Sequence, residues 1–272
     1  MQHPSKTITE SYSFRDSKAI AQGFAGRRAA KCAGFLLPHL QAGMRLLDCG
    51  CGPGSITLDL ATVVAPGEVV GIDLDPVSVE LARKQAVESQ LTQVRFEVAN
   101  VYELPFPAAS FDVIFSHALL LHVREPVSAL KEMRRVLKRG GLIGIRNDDM
   151  DGLIIAPPDP LLIQSWELVG ELVRRNGGNA RGAKHSRAWL DVAGFTRIEA
   201  TASYECYGTP AETARWGEVC SKGLRNLQQR YEAMGLADPE TVERMCAAWH
   251  AWGNDPSAFF AKAWCEAIGW VD

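Results

Sequence analysis

Met44-Arg45-Leu46-Leu47-Asp48-Cys49-Gly50-Cys51-Gly52-Pro53-Gly54-Ser55 is the stretch whose reading decides the fold. A short apolar run ends in Asp48, three glycines follow at alternate positions, and an amphipathic run, Ile56-Thr57-Leu58-Asp59-Leu60-Ala61, opens behind them. This pattern predicts a buried strand, a tight loop and the first turn of a helix. Glycines at 50, 52 and 54 permit positive φ and let a ligand approach the backbone without a Cβ in the way. Pro53 and Ser55 suit a helix start, as a first-position proline and a hydroxyl cap. Such a loop aims backbone N–H groups and the positive end of a helix at whatever lies above the strand. The dinucleotide fingerprint places its third glycine at the sixth position. Here the third glycine stands at the fifth, Gly54, and the sixth is Ser55.

Working outward, strands and helices alternate. The pattern predicts a helical stretch over residues 19–40, a strand over 44–48 and a helix over 55–65 stopped by Pro66-Gly67. A second strand, Val69 to Leu74, precedes a helix opened by Asp75-Pro76, an acidic cap followed by a first-position proline. Val94 to Val98 reads as the third strand, Phe111 to Ser116 as the fourth and Leu142 to Asn147 as the fifth, with a helix from Pro126 to Leu137 between the last two. After residue 148 the rhythm breaks. Helices are expected over 160–175 and 184–193, strands near 195–199 and 202–207, and mostly helix, rich in aromatics, over 210–272. Strands and helices at this rhythm predict an α/β fold with a doubly wound, mostly parallel, seven-stranded sheet. The division expected is an N-terminal helical lid over 1–43 and a core over 44–208 with an inserted lid at 148–183. A C-terminal helical extension over 209–272 packs on that core.

The chain has 272 residues, 47% of them hydrophobic and 22% charged, and a net charge of −3. These are values of a globular enzyme large enough for one big domain or a core with an accessory lobe. The charge gives no reason to expect a nucleic-acid partner. No apolar run reaches the roughly 18 residues of a membrane span, and Met1 to Lys6 lacks the apolar core of a signal peptide. Seven scattered cysteines fit reduced thiols in a cytoplasmic protein. Cys49 and Cys51 read as small packing residues, since no Cys/His pair at zinc spacing answers them, and no metal is expected.

In an open α/β sheet, ligands bind beyond the carboxyl ends of the strands at the point where strand order reverses. Asp73 closes the second strand and is placed to accept two ribose hydroxyls; a turn or capping acid is the rival reading. Leu74 can lie on an adenine face. Asn100 follows the third strand and can read the adenine edge, with Val101 behind it. Ser116 and His117 end the fourth strand.

Asp48-x-Gly50-x-Gly52-x-Gly54 resembles motif I of the class I S-adenosylmethionine-dependent methyltransferases. The resemblance extends over about 150 residues through Leu104-Pro105-Phe106-Pro107, Ser110-Phe111-Asp112, Leu120-Leu121-His122-Val123 and Arg135-Val136-Leu137-Lys138-Arg139-Gly140-Gly141. These pieces are similar to the menaquinone-type (UbiE-like) branch of small-molecule methyltransferases. The resemblance implies a Rossmann-like methyltransferase fold and S-adenosylmethionine as cofactor. It also implies a pocket lined by Asp48, Gly50, Cys51, Gly52, Asp73, Leu74, Asn100, Val101, Ser116 and His117. Asn100 departs from the family's usual aspartate, and Leu121 stands where a histidine is common.

The acceptor is expected to be a small apolar or aromatic molecule, with Tyr12, His122 and Asp148 as candidate contacts. His122 also reads as a structural histidine at a helix start, and Asp148 as a turn or cap residue. His117 is the candidate general base for an oxygen acceptor, with cofactor contact as the equal alternative. The basic cluster Arg181, Lys184, His185 and Arg187 reads first as a solvated helix start. A protein of this fold that binds the cofactor without transferring methyl is the second expectation, and a nicotinamide oxidoreductase the third. The protein is expected to be a monomer or homodimer.

Overall fold

The computed structural model describes residues 26–272. Its centre is a seven-stranded sheet in the order β3-β2-β1-β4-β5-β7-β6. The strands are β1 (Leu46–Cys49), β2 (Val69–Asp73), β3 (Val94–Val98), β4 (Phe111–His117), β5 (Leu137–Ala156), β6 (Arg197–Tyr207) and β7 (Phe259–Trp270). β1 to β5 are parallel, and β7 runs antiparallel between β5 and β6.

The two-residue period of the strands sorts their side chains to opposite faces. Leu46, Val69 and Val113 pack under α1 (Ala29–Cys32), Leu36 and α2 (Ser55–Val64). Their neighbours Leu47, Val70 and Ile114 face the other way, against α4 (Pro126–Val136) and α6 (Ser186–Ala193). Leu46 and Leu47 are both fully buried, so truncating either to alanine costs about 2–5 kcal/mol. α3 (Pro76–Glu88) flanks β2 and β3. A separate core joins α5 (Pro160–Arg175), α7 (Pro210–Ala233) and α8 (Pro239–Gly253) around Trp249, Trp252 and Phe260. Among the described residues no helix is long and apolar enough to cross a membrane.

From β1 to α4 the elements match the sequence reading to within a residue or two, but five expectations need correction. Ser55 is the first residue of α2 rather than its cap. The capping position is Gly54, at φ +86°, with no side-chain hydrogen bond, and Pro53 lies before it. β5 runs on to Ala156 through the polar Asn147-Asp148-Asp149, because β7 pairs along its whole length with a bulge between Asp149 and Ile154. The two strands expected near 195–207 are one strand, β6. The segment 209–272 is not helical throughout: β7 inserts into the sheet between β5 and β6. Its long-range pairing overrides the weak strand preference of Ala261, Ala263 and Ala267. In the stretch expected to be helical over 19–40, the described part holds α1 and a single 3-10 turn, Leu37–His39. Tyr12 lies outside the described residues.

Candidate functional site

Strand order reverses between β1 and β4, and a cavity of about 240 Å³ opens above their carboxyl ends. Its floor is the glycine loop. Gly50, Gly52 and Gly54 all hold positive φ (+77°, +54° and +86°). A Cβ on Gly52 would meet no atom of the described residues within 4 Å, and the residue lines the cavity. That is the open backbone surface a ligand needs for close approach.

Two carboxylates stand over this loop. Asp73 Oδ2 accepts from the Gly52 amide at 2.8 Å and Oδ1 from the Asp75 amide at 2.9 Å. Each carboxylate oxygen retains a lone pair for a further donor. Burial is the main effect on Asp73 and raises its pKa, while the amides of Asp75 and Gly52 oppose it. Asp75 caps α3 through the amides of Val77 and Ser78. Asp48 lies deeper. Burial pushes its carboxyl up to about 7, against the hydrogen bond it accepts from Thr57 Oγ1 at 2.6 Å. Cys51 lines the same wall, and burial keeps its thiol well above the usual range, so it is a neutral packing group.

A narrower cavity of about 80 Å³ adjoins the first and shares Gly50, Asp73, Ala118 and His122 with it. Leu74, Val101 and Leu119 give it apolar sides, and Asn100 lines it too. Asn100 Oδ1 accepts from the Tyr102 amide at 3.0 Å, which fixes the orientation of the side-chain amide. The donor set fits an adenosyl amino acid in three places: an apolar slot beside an amide, a carboxylate at the junction, and a buried acid beside open backbone. Ser116 is the exception among the expected residues. It lines neither cavity, and its Oγ is buried without a hydrogen-bond partner among the described residues.

The far side of the large cavity is different in kind. Leu121, Met150, Trp166, Val169, Val173 and Ala180 make it apolar, much of it from α5. Arg27, His117, His122, Asp148 and Lys262 supply its polar groups. Asp148 pairs with Lys262 at 3.5 Å. Burial lowers the His122 pKa to about 4, so this ring is neutral. His117 is 6% exposed, and Arg146 Nη1 lies 3.1 Å from its Nε2. Its pKa is held well below the ordinary value, first by burial and then by the charges of Arg27, Arg146 and Lys262. A ring whose Nε2 lone pair is already taken does not suit the general-base role expected of His117.

Arg27, Trp166 and Lys262 reach the cavity without having been singled out in the sequence. The only signal for Lys262 was a lone cation in the run Phe259-Phe260-Ala261-Lys262-Ala263-Trp264. The basic cluster at 181–187 does not contribute to the cavity. Arg181 pairs with Asp151 and Glu167, and Lys184 with Asp151, as a solvated network. Among the described residues no group of His, Cys, Asp and Glu is arranged to hold a metal ion.

A family model described as "Methyltransferase domain" matches residues 40–177, the stretch that carries the glycine loop and both cavities' strand ends. The chain belongs to this methyltransferase family. The resemblance to the class I enzymes therefore holds, and S-adenosylmethionine is the cofactor. The methyltransferase is 32% identical over 251 residues to an uncharacterized methyltransferase of Bacillus subtilis, YcgJ, covering 92% of each chain. It is 28% identical to an uncharacterized methyltransferase of Schizosaccharomyces pombe over 89% of each. The crystal structure of YcgJ superposes with a TM-score of 0.58 at 21% identity, covering 88% of this chain and 97% of that one. A phosphoethanolamine N-methyltransferase of Haemonchus contortus, in complex with S-adenosylhomocysteine, shares the fold at a TM-score of 0.54 and 19% identity, over 85% of this chain and 50% of that one.

Proposed function

We propose that this methyltransferase moves the methyl group of S-adenosylmethionine to a small, largely apolar or aromatic metabolite held between the glycine loop and helix α5. The observation that carries this reading is the two-sided cavity: acids and open backbone on one wall, Trp166, Val169, Val173 and Leu121 on the other. In this reading Asp73 takes the ribose hydroxyls and Leu74, Asn100 and Val101 hold the adenine. Gly50, Cys51, Gly52 and Asp48 take the amino-acid end.

When bound, S-adenosylmethionine supplies a methyl group already activated for displacement. The chain's own task is to align the acceptor with that methyl and to exclude water, which can account for a large part of the acceleration. Asp48 offers a buried acid to a cationic group and loses its proton in exchange. α5 and Leu121 close the acceptor side with apolar surface, so an acceptor is held by burial and by the few polar groups at the cavity's end.

The test is transfer of isotope-labelled methyl from S-adenosylmethionine to a panel of small phenols, aromatic acids, aliphatic amines and sugars, with S-adenosylhomocysteine release measured in parallel. The reading predicts labelled aromatic or apolar products. Transfer confined to sugars or other strongly polar acceptors would contradict it.

A further inference from the structure

One row of side chains crosses four adjacent strands. His117 on β4 pairs in register with Arg146 on β5, Arg146 with Glu266 on β7, and Glu266 with Thr201 on β6. Each step is a hydrogen bond. Thr201 Oγ1 donates to Glu266 Oε2 at 3.1 Å and Ser203 Oγ to Glu266 Oε1 at 2.7 Å. Arg146 Nε donates to Glu266 Oε1 at 2.9 Å and Nη1 lies 3.1 Å from His117 Nε2. The Arg146 and Glu266 side chains are only 4% and 11% exposed. Trp264 covers the row: the Arg146 guanidinium lies 4.0 Å from its ring centre and the His117 ring 4.8 Å away.

This row fixes chemistry at His117. An arginine guanidinium only donates and does not lose its proton in a protein. Nε2 of His117 is therefore the acceptor, and the ring's single proton sits on Nδ1. The second ring nitrogen of a histidine takes the state its partner dictates. Nδ1 is buried with no hydrogen-bond partner among the described residues, and the ring lines the acceptor side of the cavity. A buried donor without a partner is costly, and a ligand oxygen that reached it would supply the bond the described residues leave unmade. The charged groups on this side are Arg27 and Lys262 against Asp148, which Lys262 pairs.

We propose that His117 is the hydrogen-bond donor of the acceptor site: its Nδ1–H holds an anionic oxygen of the substrate, an ionised phenol or a carboxylate, and the ring takes no proton in the reaction. Arg146 and Glu266 are positioning residues that set its tautomer. The inference rests on reading this cavity as the acceptor site. It implies that an oxygen nucleophile reaches the methyl already ionised, with its negative charge met by the Nδ1–H and the neighbouring cations.

The experiment uses nitrogen-15 labelled histidine in the full chain loaded with S-adenosylhomocysteine, with 4-nitrophenolate as the probe. The His117 signal among the six histidines is assigned by its loss in His117→Asn. We expect a single Nδ1–H tautomer that does not titrate across the range of free histidine, about pH 5 to 8, and whose Nδ1 proton shifts when 4-nitrophenolate is added. Calorimetry should show His117→Ala losing about tenfold in affinity for 4-nitrophenolate. His117→Asn should lose less, because its amide can place an N–H where Nδ1 stood. The double variant Arg146→Met/Glu266→Met should give a mixture of His117 tautomers in a folded chain. An Nε2–H tautomer or an imidazolium in wild type near neutral pH overturns the proposal, as does an Nδ1 proton indifferent to 4-nitrophenolate that calorimetry shows to be bound. Failure of S-adenosylhomocysteine itself to bind would instead overturn the reading of the cavity.

Discussion

The Gly52 amide donates to Asp73 Oδ2 at 2.8 Å, across 21 residues of sequence. The bond ties the tip of the glycine loop to the end of β2, so the carboxylate proposed to meet the ribose also sets the shape of the loop beneath it. Asp73→Ala removes both functions. S-adenosylhomocysteine affinity should fall roughly 10- to 100-fold, the range expected for hydrogen bonds to a charged group. Asp73→Asn should fall less, since its carbonyl oxygen can still accept from Gly52. Titration calorimetry of the two variants checks the order.

Two glycines of the loop should respond differently to the same substitution. At Gly54 a Cβ would sit 2.8 Å from both Ala82 Cβ and Phe96 Cζ, at φ +86°. Gly54→Ala should therefore cost about 2–4 kcal/mol of stability, from backbone strain and overpacking together. At Gly52 a Cβ meets no atom of the described residues within 4 Å, at φ +54°. Gly52→Ala should cost only about 1–2 kcal/mol of stability but lose most of the S-adenosylhomocysteine affinity, because the methyl occupies the ligand's side of the loop. Urea unfolding and calorimetry on the same samples separate the two effects.

Asp48 gives the cofactor-free protein a pH dependence. Burial raises its carboxyl from 3.8 to about 7, so between those values the folded chain holds a proton that the unfolded chain has released. Stability must then fall as pH rises from about 4 to about 7 and level off above, by at most about 4 kcal/mol from this group. Asp48→Asn cannot ionise, and its amide oxygen can still accept from Thr57. The difference between the wild-type and Asp48→Asn unfolding free energies, measured at several pH values, should show this slope. A flat difference contradicts it.

The Arg146–Glu266 pair should behave as buried pairs do when only one partner is removed. Arg146→Met leaves the Glu266 carboxylate buried with, among the described residues, only Thr201 and Ser203 as donors, at a cost of about 3–5 kcal/mol. Arg146→Met/Glu266→Met should recover most of that loss, and unfolding of the two variants measures the recovery.

What the sequence made legible follows from how local each signal was. β1, the glycine loop, α3 with its Asp75 cap and the end of β2 at Asp73 are written in runs of a dozen residues or fewer, and the structure places them as read, apart from the cap of α2, which is Gly54 and not Ser55. β7 was not legible, because Ala261-Lys262-Ala263-Trp264-Cys265-Glu266-Ala267 has little strand preference of its own. It is a strand because β5 and β6 flank it. The partnership of His117 with Arg146 and Glu266 spans 29 and then 120 residues, and only the register of three strands brings them together. For that reason position alone makes His117 a candidate base or cofactor contact, and its neighbours carry the donor role proposed above. The apolar wall of α5 was expected as a lid over 148–183, but the arrival of Lys262 beside Asp148 again depended on where β7 inserts.

The most direct measurement is calorimetric titration of the wild-type chain with S-adenosylhomocysteine and, separately, with NAD. The account predicts one S-adenosylhomocysteine bound per chain and no binding of NAD. Binding of NAD, or no binding of S-adenosylhomocysteine to a folded sample, would contradict it.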